Sequence, residues 1–193
     1  MLTPEQIAGI GKFQRYLDPD GDGIPYRTLP GISPKAAYFT RGSGHSKFGA
    51  YTEDSAEYQE VLDRLSRKFR AAAKLVPPAL VDGRGSPSAI VSFGSCDAPV
   101  REALAQLRRS GIAIDYLRVR AFPFGPEVEE FLGAHQTVFV VEQNRDAQLR
   151  SLLALETGVA RDAMIPILDY GGLPLSARSV VAGVKRHLEG VPA

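Results

Sequence analysis

A single cysteine, Cys96, stands in a chain of 193 residues. It rules out a disulfide within the chain and argues against a cysteine-built zinc or iron–sulfur site. Long hydrophobic runs are missing as well: no apolar stretch approaches the roughly 20 residues of a membrane span. The first ten residues contain Glu5 and lack the basic stretch and apolar run of a secretory signal. Charge of one sign is also scarce. Twenty-three Lys and Arg against 22 Asp and Glu leave a net charge of +1. No basic block stands out, so nucleic acid is not an implied partner, and the Arg108-Arg109 pair reads as a solvated helix face. These absences lead to the expectation of a soluble, cytoplasmic protein with no membrane association. Hydrophobic residues make up 44% and charged residues 23%, enough for a packed core and unlike a disordered segment. The length suits one domain, or one with an appendage.

The chain reads as unlike parts. Residues 1–54 are rich in Gly, Pro, Asp and aromatics and show little periodicity beyond a short helical start near Pro4 to Tyr16. So much irregular chain is usually functional or lies against a partner. Residues 55–86 read as an amphipathic helix and a linker. Tyr58, Val61, Leu62, Leu65, Phe69, Ala72, Ala73 and Val76 recur at three- and four-residue steps, which predicts one buried stripe. Asp54 with Glu57 suits a capping box, Pro77-Pro78 stops the helix, and residues 81–87 read as linker.

From Ser88 the rhythm alternates between strands and helices. Strands are expected at residues 89–93, 112–119, 137–141 and 164–168. Helices are expected from about Asp97, Pro126, Arg145 and Ser176, with Gly111 and Gly158 as stops. The run at 137–141 is continuously apolar, as in a strand buried on both faces. Four strand–helix units at short spacing predict right-handed crossovers and a three-layer α/β domain over 87–193: a mainly parallel sheet with helices on both faces.

Several clusters could carry chemistry. Asp18, Asp20 and Asp22 with Gly23 resemble the start of a calcium loop, but Leu29 stands where a bidentate Glu belongs and Pro25 forbids the helix geometry. The reading left is a looser Mg²⁺ or Ca²⁺ site, or a run of Asx-turns. Arg41, Ser43 and His45 sit among glycines in a loop that could approach an anionic ligand, or be plain surface. Ser95 and Asp97 follow the first strand and suit helix capping. The three-glycine dinucleotide fingerprint is missing, and Cys96 has no nearby His to activate it. Glu142, Gln143, Asn144 and Arg145 close the third strand and read as a partner surface, with a loop capped by Asn144 as the other option. Tyr170 with Gly171-Gly172 reads as tight backbone packing, against another subunit. His135 and His187 read as surface residues of helix ends.

Six segments are familiar as an ordered set: DPDGDGIPYRTLPG at 18–31, AYFTRGSGH at 37–45, FGSCD at 93–97, RVRAFPFG at 118–125, VFVVEQNRDAQLRSLL at 138–153 and YGGLPL at 170–175. Together they resemble α subunits of 2-oxoacid:ferredoxin oxidoreductases, especially the 2-oxoglutarate type, over nearly the whole chain. The resemblance implies a fold similar to the carboxy-terminal domain of transketolases. It also implies part of an enzyme that decarboxylates a 2-oxoacid oxidatively to acyl-CoA, with electrons passed to ferredoxin. Residues 1–54 would then leave a thiamine-pyrimidine domain that is absent here.

Nothing in this chain resembles the YPITP-type pyrimidine motif, a diphosphate-and-magnesium motif or a cluster-binding cysteine set. The resemblance therefore implies that thiamine diphosphate, Mg and the iron–sulfur cluster are held by other domains or subunits. The implied partners are the remaining α-subunit portion and a thiamine-binding β subunit, with ferredoxin and coenzyme A reached through the complex. The chain would be a split subunit, a truncated product or an excised piece, inactive alone. Arg27, Arg41 and His45 are the residues it would place nearest substrate or cofactor. Ser46 and Lys47 depart from the family pattern of an amide or acid followed by Glu, which reverses the local electrostatic preference. That departure implies an altered partner or a lost constraint, and Lys47→Glu restores activity in the second case. The alternative reading is a stand-alone small-ligand or regulatory α/β domain.

Overall fold

The structure, a computed structural model, describes residues 1–188 and 190. It divides into two compact units, Met1–Leu75 and the chain from Val76 on. Each is treated by itself.

The apolar runs of the second unit form strands β2 (Ser88–Phe93), β3 (Asp115–Val119), β4 (Thr137–Glu142) and β5 (Met164–Leu168), with β1 (Leu80–Asp82) before them. The sheet order is β1-β3-β2-β4-β5. β1 pairs antiparallel with β3, and every other pairing is parallel. The central strands are buried along almost their full length, as continuous apolar runs require. Helices α3 (Asp97–Arg109) and α6 (Ala177–Leu188) cover one face, where Val100, Leu107, Val180 and Val184 meet Ile90, Tyr116 and Phe139. Helices α4 (Pro126–Ala134) and α5 (Gln148–Thr157) cover the other, where Val128, Leu132 and Leu153 meet Val91, Leu117 and Val140. Each such side chain contributes about 1.5–3 kcal/mol on full burial. The expected three-layer, mainly parallel fold is therefore what the chain adopts.

Local differences have physical causes. Residues 81–87 are not all linker, because β1 starts at Leu80. Its three residues are exposed, so an edge strand this short leaves no apolar pattern to read. β3 begins at Asp115 rather than Ile112. α5 begins at Gln148 because Ala147 takes a left-handed φ of 51° and breaks the turn. Pro166 lies on β5, the edge strand, where a missing N–H does not interrupt the sheet.

His135 is not a surface residue. Its side chain is 6% exposed; Nδ1 lies 2.7 Å from the Phe131 carbonyl oxygen and Nε2 3.3 Å from Asp115 Oδ2. Asp115 also accepts hydrogen bonds from the N–H groups of Arg84, Gly85 and Ser86. One carboxylate thus ties the loop before β2 to the end of α4. His187 is exposed, as expected, with its ring edge-on to Phe139.

In the first unit, α1 (Pro4–Ala8) is shorter than expected and carries a full capping box from Thr3 and Gln6. α2 (Ser55–Ala72) starts where Asp54 accepts from the Glu57 N–H at 2.9 Å. The reciprocal half of the box is replaced, since the Asp54 N–H goes to Thr52 Oγ1. The helix ends at Ala72, before Pro77. The predicted buried stripe is the main correction. Only Val61 and Arg64 of α2 are buried, while Tyr58, Leu62 and Phe69 are 43%, 44% and 56% exposed. The stripe is real, but its outer side chains stay exposed among the described residues. Among the described residues no helix is long and apolar enough to cross a membrane.

Burial alone would raise the Asp115 carboxyl, but the donors from Arg84, His135, Gly85 and Ser86 hold it below its ordinary value. A depressed carboxylate adds stability above its unfolded pKa of about 3.9, and that contribution is lost as pH falls through the folded value. Asp115→Asn is expected to cost about 1–3 kcal/mol in urea unfolding at neutral pH. The gap from the parent should shrink as pH falls below about 4; an equal gap at both pH values would contradict this assignment.

Candidate functional site

Two regions gather the chemistry-bearing side chains. One is the carboxyl end of the sheet, where the loops after β2, β4 and β5 converge. The order of the parallel strands reverses between β2 and β4, the topological switch point at which open α/β sheets place ligands.

At this end Glu142 is fully buried. Its carboxylate accepts from the Leu149 and Arg150 N–H groups at 2.7 and 3.0 Å and from Asn144 Nδ2 at 2.7 Å. It therefore caps α5 from within and presents no side chain to a partner. Asn144 caps the same turn, accepting from the Asp146 and Gln148 N–H groups. Gln143, Arg145 and Tyr170 are exposed, Tyr170 by 64%, and Leu173 beside it by 77%. Gln143 stitches the loops together: its Oε1 accepts from Ser95 Oγ at 3.0 Å and its Nε2 donates to the Leu173 carbonyl at 3.4 Å. Added Cβ atoms on Gly171 and Gly172 would meet nothing in this chain. Gly172 is needed for its φ of 81°, not for close packing.

Ser95 and Asp97 do not cap α3, which grows out of a 3₁₀ turn over Gly94–Cys96 without a side-chain cap. Instead Asp97 accepts from Tyr116 Oη, Arg101 and Arg118, and Tyr116 Oη lies 2.7 Å from Ser92 Oγ. Burial pushes the Tyr116 phenol up, and the Asp97 carboxylate adds to that, so it stays protonated. Sequence reading passed over this network. Its one visible signal was Ser92 inside an apolar strand. Cys96 is buried, and burial raises its thiol against the pull of the Gln143 N–H; the Glu142 and Asp169 carboxylates add to the rise. A protonated, buried thiol is a poor nucleophile.

The second region lies in the first unit. The His45 ring stacks on Tyr16 with centroids 4.6 Å apart and 5° between planes, and its Nδ1 is buried without a partner. The Arg15 and Arg64 guanidinium groups approach the same Tyr16 ring at 4.9 and 5.6 Å. Arg15 Nε also donates to Tyr38 Oη. This aromatic–cation cluster was not foreseen from sequence, because its members lie far apart along the chain. Arg27 and Arg41 are exposed, and their side chains make no hydrogen bond or ion pair among the described residues. The structure thus gives His45 a built environment and leaves the two arginines free. Gly42 and Gly44 let the loop lie against Tyr51 and Tyr58, where a Cβ would crowd both. The Lys47 and Lys12 ammonium groups both face the Phe48 ring, at 5.9 and 4.5 Å from its centroid.

Asp18, Asp20 and Asp22 each offer an oxygen within 4.8 Å of the others. Asp18 Oδ2 already accepts from the Gly23 N–H and from Arg67, both at 3.1 Å. Asp22 accepts from the Ile24 N–H, and Gly23 lies directly on the α2 backbone at Lys68. Arg64 donates to the Gly23 carbonyl. These contacts shape a tight turn against α2, and the EF-hand geometry does not arise.

Glu142→Ala is expected to leave two helix N–H groups unsatisfied in a buried site. It should lower stability by about 2–4 kcal/mol in urea unfolding; a cost within about 0.5 kcal/mol, as for an ordinary surface change, would contradict its capping role.

No protein-family model matches the chain. The α subunit of 2-oxoacid:ferredoxin oxidoreductase 2 from Aeropyrum pernix is 36% identical over 200 residues, covering 97% of this chain and 31% of that protein. The α subunit of the 2-oxoacid:ferredoxin oxidoreductase from Saccharolobus solfataricus is 26% identical over 169 residues, covering 82% of this chain and 26% of that protein. Among solved structures, a 2-oxoglutarate:ferredoxin oxidoreductase from Magnetococcus marinus, with 2-oxoglutarate, coenzyme A and succinyl-CoA bound, matches with a TM-score of 0.81. That match has 25% identity and covers 93% of this chain and 31% of the other. The chain spans less than a third of the length of these curated relatives.

Proposed function

We propose, for a chain homologous along nearly its whole length to the carboxy-terminal part of 2-oxoacid:ferredoxin oxidoreductase α subunits, a structural and subunit-interaction role inside such an enzyme. The enzyme would decarboxylate a 2-oxoacid oxidatively to its acyl-CoA and pass electrons to ferredoxin. The 25% identical structure that carries 2-oxoglutarate favours that 2-oxoacid. The chain contributes surface rather than reacting groups. Its single cysteine is buried and cannot ligate an iron–sulfur cluster. That cluster, thiamine diphosphate and Mg are assigned to other domains or subunits. Arg27, Arg41 and His45 are the groups placed to meet an anionic substrate or cofactor from the assembly, through charge and hydrogen bonding.

One observation carries this reading. The first unit exposes an apolar surface out of proportion to its size. Besides Tyr58, Leu62 and Phe69 on α2, it shows Leu29 at 57%, Tyr38 at 47% and Phe39 at 81% exposure. Tyr58, Leu62 and Phe69 share one face of α2, and adjoining exposed apolar side chains mark interaction surfaces. The partners that fit are the remaining α-subunit portion and the thiamine-binding β subunit.

The test is affinity capture of the tagged chain from its own cells, with co-purifying proteins identified by mass spectrometry. Recovery of a β subunit and the rest of an α subunit is expected. The combined change Leu62→Gln and Phe69→Ser should reduce that recovery about tenfold or more with an unchanged thermal midpoint. Recovery of the chain alone, or undiminished capture by the variant, would contradict the proposal.

A further inference from the structure

A crevice of about 380 Å³ opens in the second unit at the carboxyl ends of β2 and β3. Its lining side chains take no part in the contacts described above. Phe93 closes β2 on one side. Phe122 and Phe124, from the loop after β3, stand on another, with rings 5.3 Å apart and edge to face. Leu149 and Leu152 of α5 complete the apolar lining. The crevice therefore sits at the carboxyl end of the sheet, on the α4/α5 face. Its volume falls in the range of small-molecule sites, roughly 300–1,000 Å³.

The lining states what would fit. It is almost wholly apolar, and three of its side chains are phenylalanines, two of them held open to solvent at 42% and 44% exposure. Phenyl rings at the mouth of an apolar crevice favour an aromatic guest, which gains edge-to-face contact beyond simple area burial. Among the lining residues Arg120 alone is ionisable. Its Nε donates to the Pro78 carbonyl at 2.6 Å, which fixes the side chain while both Nη groups stay free of hydrogen bonds among the described residues. The first N–H groups of α5 are taken by Asn144 and Glu142, so the helix start offers no anion site and Arg120 is the single anchor for a negative group. Arg pairs best with a carboxylate through two parallel N–H donors.

We propose that this crevice binds a small aromatic carboxylate, with the ring among Phe93, Phe122 and Phe124 and the carboxylate on Arg120. The site is separate from the assembly role and stands or falls without it.

2-Naphthoate is a suitable probe, because the chain contains no tryptophan and the probe's own fluorescence can be followed. Titration of the full chain should show saturable binding with a dissociation constant below about 1 mM. 2-Naphthamide, of the same shape without the charge, should bind about tenfold more weakly, as should 2-naphthoate to Arg120→Gln. Phe122→Ser should also weaken the naphthoate. Both altered residues are exposed, so thermal midpoints should match the parent and show that any loss lies in the site. Absence of saturable binding to the parent chain at millimolar probe would overturn the proposal. Binding left undiminished in both Arg120→Gln and Phe122→Ser would overturn it as well.

Discussion

A unit of 75 residues whose buried apolar side chains are Ile7, Phe13, Pro25, Ala36 and Val61 cannot be held by the hydrophobic effect alone. Below about 80 residues even a well-made core supplies only about 3–5 kcal/mol, and this one is far from well made. What holds the first unit is a set of contacts between segments far apart in the chain: the Asp18–Arg67 pair, Arg64 on the Gly23 carbonyl, the Tyr16–His45 stack, and glycines that let loops lie on α2. The apolar side chains that should have made a core face outward. In the assembly proposed above, such a surface is the half of an interface that a partner completes.

The second unit shows the opposite balance. Its sheet is covered on both faces, and its buried polar groups are paired with few exceptions. Two carboxylates define its ends. Asp115 gathers the loop before β2 and the end of α4 at the amino edge of the strands, while Glu142 organises the turn into α5 at the carboxyl edge. A buried carboxylate that accepts several N–H bonds fixes its loop in one conformation, because breaking one bond leaves unsatisfied groups in a dry site. The carboxyl end of the sheet is thereby preorganised. Its exposed rim of Gln143, Arg145, Tyr170 and Leu173 is presented on a rigid base.

Much of this was legible in the sequence, in a way that follows the physics. The parallel strands were visible because burial on both faces demands unbroken apolar runs such as 137–141. α3, α4, α5 and α6 were visible through period and termini, with Gly111 after α3 and Gly158 after α5 as stops. What the sequence could not show was which groups meet across long chain separations. Glu142 looked like part of a polar surface because its neighbours are polar, yet its backbone position turns it inward. His135 looked exposed because its partner, Asp115, lies 20 residues away. Most telling is α2. Periodicity records that one face is apolar, but not what covers that face. Here the described residues leave that face open, so the pattern predicted burial and the structure shows exposure.

The central claim is that the first unit depends on a surface supplied by other chains. Hydrogen–deuterium exchange, resolved by mass spectrometry, tests it most directly. In the isolated chain the amides of α2 should exchange orders of magnitude faster than those of β2 and β4, since local opening tracks buried apolar contact. In the captured assembly they should approach the protection of the sheet. Protection of α2 equal to that of β4 in the isolated chain would mean that the unit is self-sufficient, and would contradict the account.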